Sequence, residues 1–157
     1  MKFIEDSRQQ IGKHEEKHGY WSACGDKILR CKLPFGDYAL PPAVAIDTKE
    51  NMNEIANNIG GTASEHKRFR EELKLAQEYG CKLYVLVENT DGISSIEDVP
   101  FWENPRRAYS EKAIDGFRLY KAMKTMQARY GATFMFCSPS EAAGIIKTLL
   151  GGADGKE

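Results

Sequence analysis

An apolar run of seven residues near the middle of the chain constrains the fold more than any other feature. Residues Lys82–Glu88 read KLYVLVE, which is long enough for a strand and short for a helix. Strands buried on both faces typically carry continuous apolar runs of this kind. The run therefore predicts a central strand in a sheet that has helices packed against both faces.

The segments on either side of this run alternate between strand-like and helix-like patterns. Short apolar runs predict further strands over residues 2–5, 27–33, 43–49 and 133–137. Helices are predicted from about residue 51 to Gly60, from a Ser64 cap to Gly80, over residues 115–130, and from Ser138-Pro139 to about Leu150. Residues 89–109 fit neither pattern and are expected to form a loop. This order of elements predicts a mixed α/β sheet that is covered on both faces.

Length and composition limit the classes of protein that this chain can form. Its 157 residues, 41% of them hydrophobic, predict a single domain over residues 1–150 and a frayed tail over residues 151–157. No stretch approaches the roughly 20 apolar residues that a membrane-spanning helix needs. The four cysteines form no CxxC pair, and we expect free thiols in a reducing cytoplasm.

Three ionisable residues near two predicted strands are the strongest candidates for chemistry. Asp37 follows a glycine at the entrance to one strand, and Asp47 and Lys49 lie at the end of the next. Residues at positions i and i+2 share a face of a strand, so two carboxylates and an ammonium can face a common point. Such a set suits phosphodiester hydrolysis, because carboxylates bind Mg²⁺ and the metal activates water. The alternative interpretation is that the aspartates form turns and the lysine is solvated.

Several short motifs occur in a definite order along the first part of the chain. They are Asp6-Ser7-Arg8, Gly36-Asp37-Tyr38, Asp47-Thr48-Lys49, His66-Lys67-Arg68-Phe69 and Leu86-Val87-Glu88. In this order the chain resembles the XPF-type structure-specific endonucleases of the PD-(D/E)XK nuclease superfamily, in the compact form found in phages and prophages. The resemblance covers about residues 2–90. It implies a restriction-endonuclease-like fold, with a mixed central sheet flanked by helices on both faces.

The resemblance implies a role for each matching residue. Asp37 and Asp47 would bind Mg²⁺ or Mn²⁺, with Asp6 supporting the metal directly or through water. Lys49 would act on the attacking water, and Arg8 would hold a phosphate or the acidic cluster.

Three positions depart from the family's pattern. Asp47 replaces the usual Glu, which keeps metal binding but shortens the reach of the carboxylate. Thr48 replaces an arginine. Asn53 stands where the family has a second Asp, which counts against a second metal ion.

A basic surface is predicted in the last third of the chain, although the net charge is −1. Residues 51–100 carry 5 basic and 9 acidic side chains, whereas residues 101–157 carry 9 basic and 6 acidic ones. In the helix predicted over residues 115–130, the basic residues lie opposite an apolar stripe of Leu119, Met123 and Met126. DNA contacts are expected from Arg118, Lys121 and Lys124 there, and from Arg68 and Arg8 earlier in the chain. The alternative is an ordinary solvated helix face.

These features together predict a divalent-metal-dependent endonuclease that acts on branched, flapped or forked DNA. The resemblance also implies a homodimer, and a separate targeting protein is a further expected partner, in the cytoplasm of a bacterium or a phage-infected host. A non-catalytic DNA-binding or partner-docking module on the same fold is the alternative, and it is motivated by Thr48 and Asn53. A zinc site has little support, because no common zinc finger has the spacing of His14, His18, Cys24 and Cys31.

Overall fold

The structure of the protein is a computed structural model. It describes residues 1–40 and 43–151, so the Pro41-Pro42 pair and residues 152–157 of the expected tail lie outside the described residues. The strands are β1 (Lys2–Asp6), β2 (Lys27–Cys31), β3 (Tyr38–Leu40), β4 (Val44–Lys49), β5 (Lys82–Glu88) and β6 (Thr133–Cys137). The α-helices are α1 (Glu15–Ala23), α2 (Met52–Gly60), α3 (Ala63–Glu78), α4 (Gly116–Tyr130) and α5 (Ala142–Gly151).

One mixed sheet of six strands lies at the centre of the molecule, in the order β2-β1-β3-β4-β5-β6. β1 and β2 are parallel, β3 is antiparallel to both β1 and β4, and β4, β5 and β6 are parallel. The KLYVLVE run forms β5, which pairs on both sides and buries Leu83, Val85, Leu86 and Val87. The predicted buried strand and the predicted mixed α/β sheet are therefore confirmed.

Helices cover both faces of the sheet and create two hydrophobic cores. Helices α2, α3 and α4 pack on one face, where the core includes Leu73 and Met123. Helices α1 and α5 pack together on the other face, around Trp21 and Ile146. Because successive residues of a strand point to opposite faces, each strand end can present polar side chains to either layer.

Two helices begin at residues other than those expected. Helix α3 begins at Ala63, because Thr62 and Glu65 form a capping box there and Ser64 is already inside the helix. Helix α5 begins at Ala142, later than Ser138-Pro139, since the hydroxyl and N–H of Ser138 both donate to Glu141 in the preceding turn. The expected loop over residues 89–109 contains two 3₁₀ turns, Ile96–Phe101 and Pro105–Ala108.

Helix α1 is an element that the pattern of short strands did not predict. It lies between β1 and β2 and is polar along most of its length. Trp21 anchors it, because the indole is fully buried against Phe3 and Tyr38 and its Nε1 donates to the carbonyl of Ala143 at 3.0 Å. One large side chain thus fixes a helix whose other residues give little apolar periodicity.

Among the described residues, no helix combines the length and hydropathy needed to cross a membrane.

Candidate active site

The carboxyl end of β4 places two opposite charges inside the protein. Only 5% of Asp47 and 7% of Lys49 is exposed. Lys49 Nζ lies 2.9 Å from Asp47 Oδ2 and 5.1 Å from the centroid of the Phe69 ring of α3. The two side chains therefore share the face of the sheet that α3 covers, as positions i and i+2 of a strand must.

Burial governs the protonation of this pair. Burial raises the pKa of the Asp47 carboxyl well above its usual range; Lys49 opposes that shift, and the negative charges of Glu72 and Asp37 add to it. Burial alone would lower the pKa of Lys49, but the Asp47 charge beside it raises that pKa. Among the described residues, Lys49 is the charged partner of Asp47 Oδ2, and no neutral donor contacts this buried oxygen. A further donor or a cation could therefore still bind to its remaining lone pairs.

Asp37 is held against β4 by the turn that precedes β3. Gly36 has φ of +72°, and a Cβ at this position would lie 3.1 Å from the Ile46 carbonyl, so the turn needs glycine. Asp37 N donates to that same carbonyl at 2.7 Å. The Asp37 Oδ2 oxygen accepts hydrogen bonds from Thr48 N at 2.8 Å and Thr48 Oγ1 at 2.6 Å. The structure thus connects Asp37 to the residue that lies between Asp47 and Lys49.

Asp6 lies at the end of β1 and is engaged by neighbouring residues. Its carboxylate is paired with Arg8, with Nη2 at 2.6 Å and Nε at 2.7 Å, and it also accepts the N–H of Leu33 at 3.3 Å. Burial would raise the pKa of Asp6, but these hydrogen bonds outweigh burial and lower it. The backbone N–H of Asp6 donates to the Asp37 carbonyl at 2.7 Å. Asp6 therefore joins the site through its backbone and through Arg8.

Two further polar residues belong to the site, although the sequence did not identify them. Glu72 of α3 accepts the N–H of Gly36 at 2.9 Å, which ties the helix to the Asp37 turn. Its charge also acts on Asp47 and Lys49. Gln9 donates from Nε2 to Asp37 Oδ1. The sequence could have indicated Glu72, because it lies three residues after Phe69 and therefore beside the apolar stripe of α3. No feature of the sequence indicated Gln9.

The donor chemistry of this site fits Mg²⁺ or Mn²⁺. Mg²⁺ is commonly held by one or two carboxylates and several waters, and Asp37 and Asp47 supply hard carboxylate oxygens, among them the buried Asp47 Oδ2. Across residues 1–40 and 43–151, no three His, Cys, Asp or Glu side chains converge in a group that would hold a metal ion. A metal here would therefore depend on two carboxylates with water as the remaining ligand.

Polar residues on the opposite face of the sheet form a second network of ion pairs, which Arg30 connects to the site through the Gln9 carbonyl. Glu5 is buried and contacts His18 Nε2 at 2.8 Å and Arg30 Nη1 at 2.5 Å. Glu88, at the end of β5, pairs with buried Lys17 at 2.8 Å. These contacts bind α1 to the sheet. His14 contacts Gln9 Oε1, and His18 contacts Glu5. Cys24 and Cys31 are free thiols. Within the described residues, these four side chains do not come together as a zinc site.

The residues predicted to contact DNA lie on the surface but not in one cluster. Arg8 is beside Asp6 at the site, with 57% of its side chain exposed. Arg68 is exposed on α3, and Arg118, Lys121 and Lys124 are exposed on α4. Lys124 lies 3.7 Å from Glu97, and Lys121 Nζ lies 5.0 Å from the Phe117 ring centroid. The basic residues of α4 face away from its buried stripe, as predicted.

Comparison with known proteins identifies the architecture. No family model matches the sequence, and no curated protein matches it. XPF from Aeropyrum pernix matches 99% of this chain with a TM-score of 0.70 at 19% sequence identity. A structure of XPF from Aeropyrum pernix in complex with DNA matches 98% of this chain with a TM-score of 0.68 at 20% identity. The chain has the XPF fold.

This likeness confirms the fold that the motif resemblance implied. The chain spans 66% of the length of the first XPF chain and 64% of the length of the second. The strand order of this chain explains why motifs far apart in its sequence meet, since β1, the turn before β3, and β4 are neighbours in the sheet.

Proposed function

We propose that the protein is a divalent-metal-dependent DNA endonuclease. The observation that carries the proposal is the buried Asp47–Lys49 pair beside Asp37, on an XPF-type fold. Burying two charged side chains costs desolvation free energy, so such a pair adds little stability by itself. Departures of this kind from the rules of stability are expected at functional sites. One similar XPF structure is a complex with DNA, which supports DNA as the substrate.

The carboxylates have proposed roles in holding the metal. Asp37 and Asp47 would bind Mg²⁺ or Mn²⁺, which supplies charge stabilisation to the phosphate and lowers the pKa of bound water. Asp6 would act through water, because its oxygens already bind Arg8 and the Leu33 N–H. Arg8 would then present its exposed guanidinium to a phosphate.

Lys49 has a proposed role that follows from its charge. Because the neighbouring carboxylates raise its pKa, Lys49 keeps its proton at neutral pH and is a poor general base. We therefore propose that its ammonium donates hydrogen bonds to the attacking water or to a phosphate oxygen. It would orient the nucleophile and offset charge that develops on the phosphate.

A cleavage assay tests this proposal. Purified wild-type protein is incubated with labelled forked, flapped and four-way DNA in Mn²⁺. We expect cleavage of at least one branched DNA, and a loss of about a hundredfold or more in Asp47→Asn, since several kcal/mol of transition-state stabilisation is removed. Glu71→Gln is the matched control, because this carboxylate is exposed on α3 next to Glu72.

Two results would contradict the nuclease assignment. One is the absence of cleavage by wild-type protein on all three DNA structures. The other is cleavage by Asp47→Asn at the wild-type rate, with circular dichroism spectra of both proteins showing the same fold.

A second candidate function is a non-catalytic DNA-binding or partner-docking module. The observation that favours it is that protein groups already engage both Asp37 oxygens and the Asp6 carboxylate. Thr48, at the position of an arginine in the family, is one of those groups. Titration calorimetry separates the two functions: a nuclease binds Mn²⁺ and Asp47→Asn binds it much more weakly, whereas a docking module shows no Mn²⁺ binding.

The remaining features of the proposal concern substrate and surroundings. Branched, flapped or forked DNA, a homodimer and a targeting protein are proposed from the resemblance to XPF-type endonucleases. A cytoplasmic location in a bacterium or a phage-infected host is proposed with them. Sedimentation velocity tests the homodimer directly.

A further inference from the structure

The connection between β5 and α4 is long and lies at the same edge of the sheet as the candidate active site. It runs from Asn89, directly after the end of β5, to Asp115 at the start of α4. β4 and β5 are parallel, and Lys49 pairs in register with Val87 near the end of β5. The connection therefore begins beside the carboxyl end of β4. Connections of this length in a compact domain are usually functional.

This connection and the first turn of α4 expose three aromatic rings. Phe101 is 83% exposed, Tyr109 is 94% exposed and Phe117 is 57% exposed. An isolated exposed apolar residue needs no explanation, but three exposed aromatic rings between residues 101 and 117 call for one.

A hollow of about 650 Å³ lies on the surface between this connection and the start of α4. Trp102 and Phe117 line the hollow, while Phe101 and Tyr109 directly follow its lining residues Pro100 and Ala108. A hollow of this size, open to solvent and lined by the exposed Phe117 ring, can accept a planar base.

Side-chain hydrogen bonds and two short 3₁₀ turns hold the connection in place. Asn89 Nδ2 donates to Ile93 O at 2.9 Å, and Asn104 Nδ2 donates to Ile114 O at 2.8 Å; both asparagines are buried. A Cβ on Gly116 would lie 2.4 Å from the Val99 carbonyl, so the connection packs closely on α4. The rings are thus presented on a pre-formed support, which lowers the entropic cost of binding.

Basic side chains accompany the exposed rings. Lys121 Nζ lies 5.0 Å from the centroid of Phe117, and Arg118 is exposed on the same helix. Two carboxylates, Glu103 and Asp115, also line the hollow. Asp115 is engaged as the N-cap of α4, where it accepts the N–H of Arg118 at 2.8 Å. Exposed rings can stack on the bases of a nucleic acid, and neighbouring Arg and Lys side chains can pair with its phosphates. This combination favours nucleic acid over an apolar protein partner.

We propose that this surface, formed by Phe101, Tyr109, Phe117 and Lys121, is a stacking platform for an unpaired segment of single-stranded DNA. The proposal rests on the proposed function, which it deepens: the platform would hold the unpaired arm of a branched substrate while the duplex lies at the Asp47 site. Stacking on aromatic rings is tolerant of sequence, because every base has a π-face. The platform would therefore select for DNA structure and not for sequence.

Fluorescence anisotropy in EDTA tests the platform apart from catalysis. The probe is a labelled oligothymidylate of about 15 nucleotides, within the usual span of single-strand binding surfaces. We expect Phe101→Ala/Tyr109→Ala to raise the dissociation constant about fivefold to a hundredfold. Phe101→Tyr, which keeps a ring, is expected to retain wild-type affinity. Tyr79→Ala, which removes an exposed ring at the C-terminal end of α3, is the matched control and should bind as wild type does.

Three results would overturn the platform. The first is that wild-type protein does not bind the oligothymidylate. The second is that Phe101→Ala/Tyr109→Ala binds it with unchanged affinity. The third is that this variant keeps its DNA affinity but loses self-association, which would make the surface an interface between copies of the chain. Because the assay contains no metal, its outcome is independent of cleavage. The two proposals can therefore fail separately. If Phe101→Ala/Tyr109→Ala loses affinity for single-stranded DNA while Asp47→Asn cleaves as fast as wild type, the platform is supported and the nuclease assignment is rejected.

Discussion

Gln9 links the Asp37 carboxylate to a second layer of polar residues. Gln9 Nε2 donates to Asp37 Oδ1, and its Oε1 contacts His14 Nε2 at 2.6 Å. Arg30 Nη2 donates to the Gln9 carbonyl at 2.6 Å and fixes the backbone. The other Asp37 oxygen is held by Thr48. Hydrogen bonds that orient a metal ligand in this way typically change metal affinity by about 10- to 100-fold when they are removed.

We therefore expect Gln9→Ala to weaken Mn²⁺ binding by about tenfold or more, because Asp37 loses the contact that orients one of its oxygens. Titration calorimetry measures the affinity directly. Gln10→Ala is the control, since Gln10 is exposed and adjacent. Unchanged or tighter Mn²⁺ binding by Gln9→Ala would show that Gln9 competes with the metal or is unconnected to it.

Asp6 gives a prediction about pH. The Arg8 and Leu33 hydrogen bonds outweigh burial and lower the pKa of Asp6. A carboxyl with a lowered folded-state pKa stabilises the protein above its unfolded pKa of about 3.9 and loses that contribution as the pH falls through the folded value. Asp6→Asn should lower the free energy of unfolding by about 1–3 kcal/mol at pH 7. The difference should be smaller at a second, acidic pH below the unfolded pKa of about 3.9, because the wild-type carboxyl gains its proton as the pH falls through the lower folded-state pKa.

Urea denaturation of both proteins at the two pH values measures this difference. An equal loss of stability at both would mean that the Asp6–Arg8 pair contributes no charge-dependent stability.

Residues close in sequence were easier to predict as neighbours than residues from separate elements. Asp47 and Lys49 were expected on one face because strand geometry fixes positions i and i+2. The approach of Asp37 to β4 was expected from the motif order. Glu72 and Gln9 reach Asp37 and its turn from a helix and from a connection, and no local spacing encodes that approach.

At the level of elements, α4 and α1 show what helical periodicity can predict. The stripe of Leu119, Met123 and Met126 on α4 was predicted and is buried. Helix α1 buries Lys17 and Trp21 on an otherwise polar sequence, so it has almost no periodic signal. Its position depends on contacts with α5, which are far away in sequence. Local pattern therefore predicts helices with an apolar stripe and misses those held by a few distant contacts.

The exposed face of α4 gives a prediction about DNA affinity. Lys121→Glu/Lys124→Glu reverses two charges, so we expect weaker DNA binding and a salt dependence that is shallower by about two phosphate contacts. Mn²⁺ affinity should be unchanged, because neither lysine contacts the Asp37 or Asp47 carboxylates. Filter binding at several salt concentrations measures the slope. Lys2→Glu/Lys27→Glu, at exposed positions on β1 and β2, reverses the same number of charges and is the control for net charge.

If Lys121→Glu/Lys124→Glu leaves both the DNA affinity and its salt dependence unchanged, the exposed face of α4 is an ordinary solvated surface.

At the scale of the whole molecule, the sheet order brings the site together. β3 is antiparallel to both neighbours and lies between β1 and β4, so the Asp37 turn meets the ends of the two other motif-bearing strands. The overall class of this sheet followed from the sequence, since a buried central strand and flanking helices were visible in its pattern. Strand order was not visible there, because pairing between distant strands depends on packing that no short window contains.

We propose that Asp37 and Asp47 act together on one divalent cation at the end of β4. A crystal structure of the protein with Mn²⁺ locates the ion by its anomalous signal. We expect one Mn²⁺ bound by oxygens of both Asp37 and Asp47 and otherwise by water, and no Mn²⁺ at that position in Asp47→Asn. Mn²⁺ bound elsewhere, or no ordered Mn²⁺ near these two carboxylates in the wild-type protein, would contradict it.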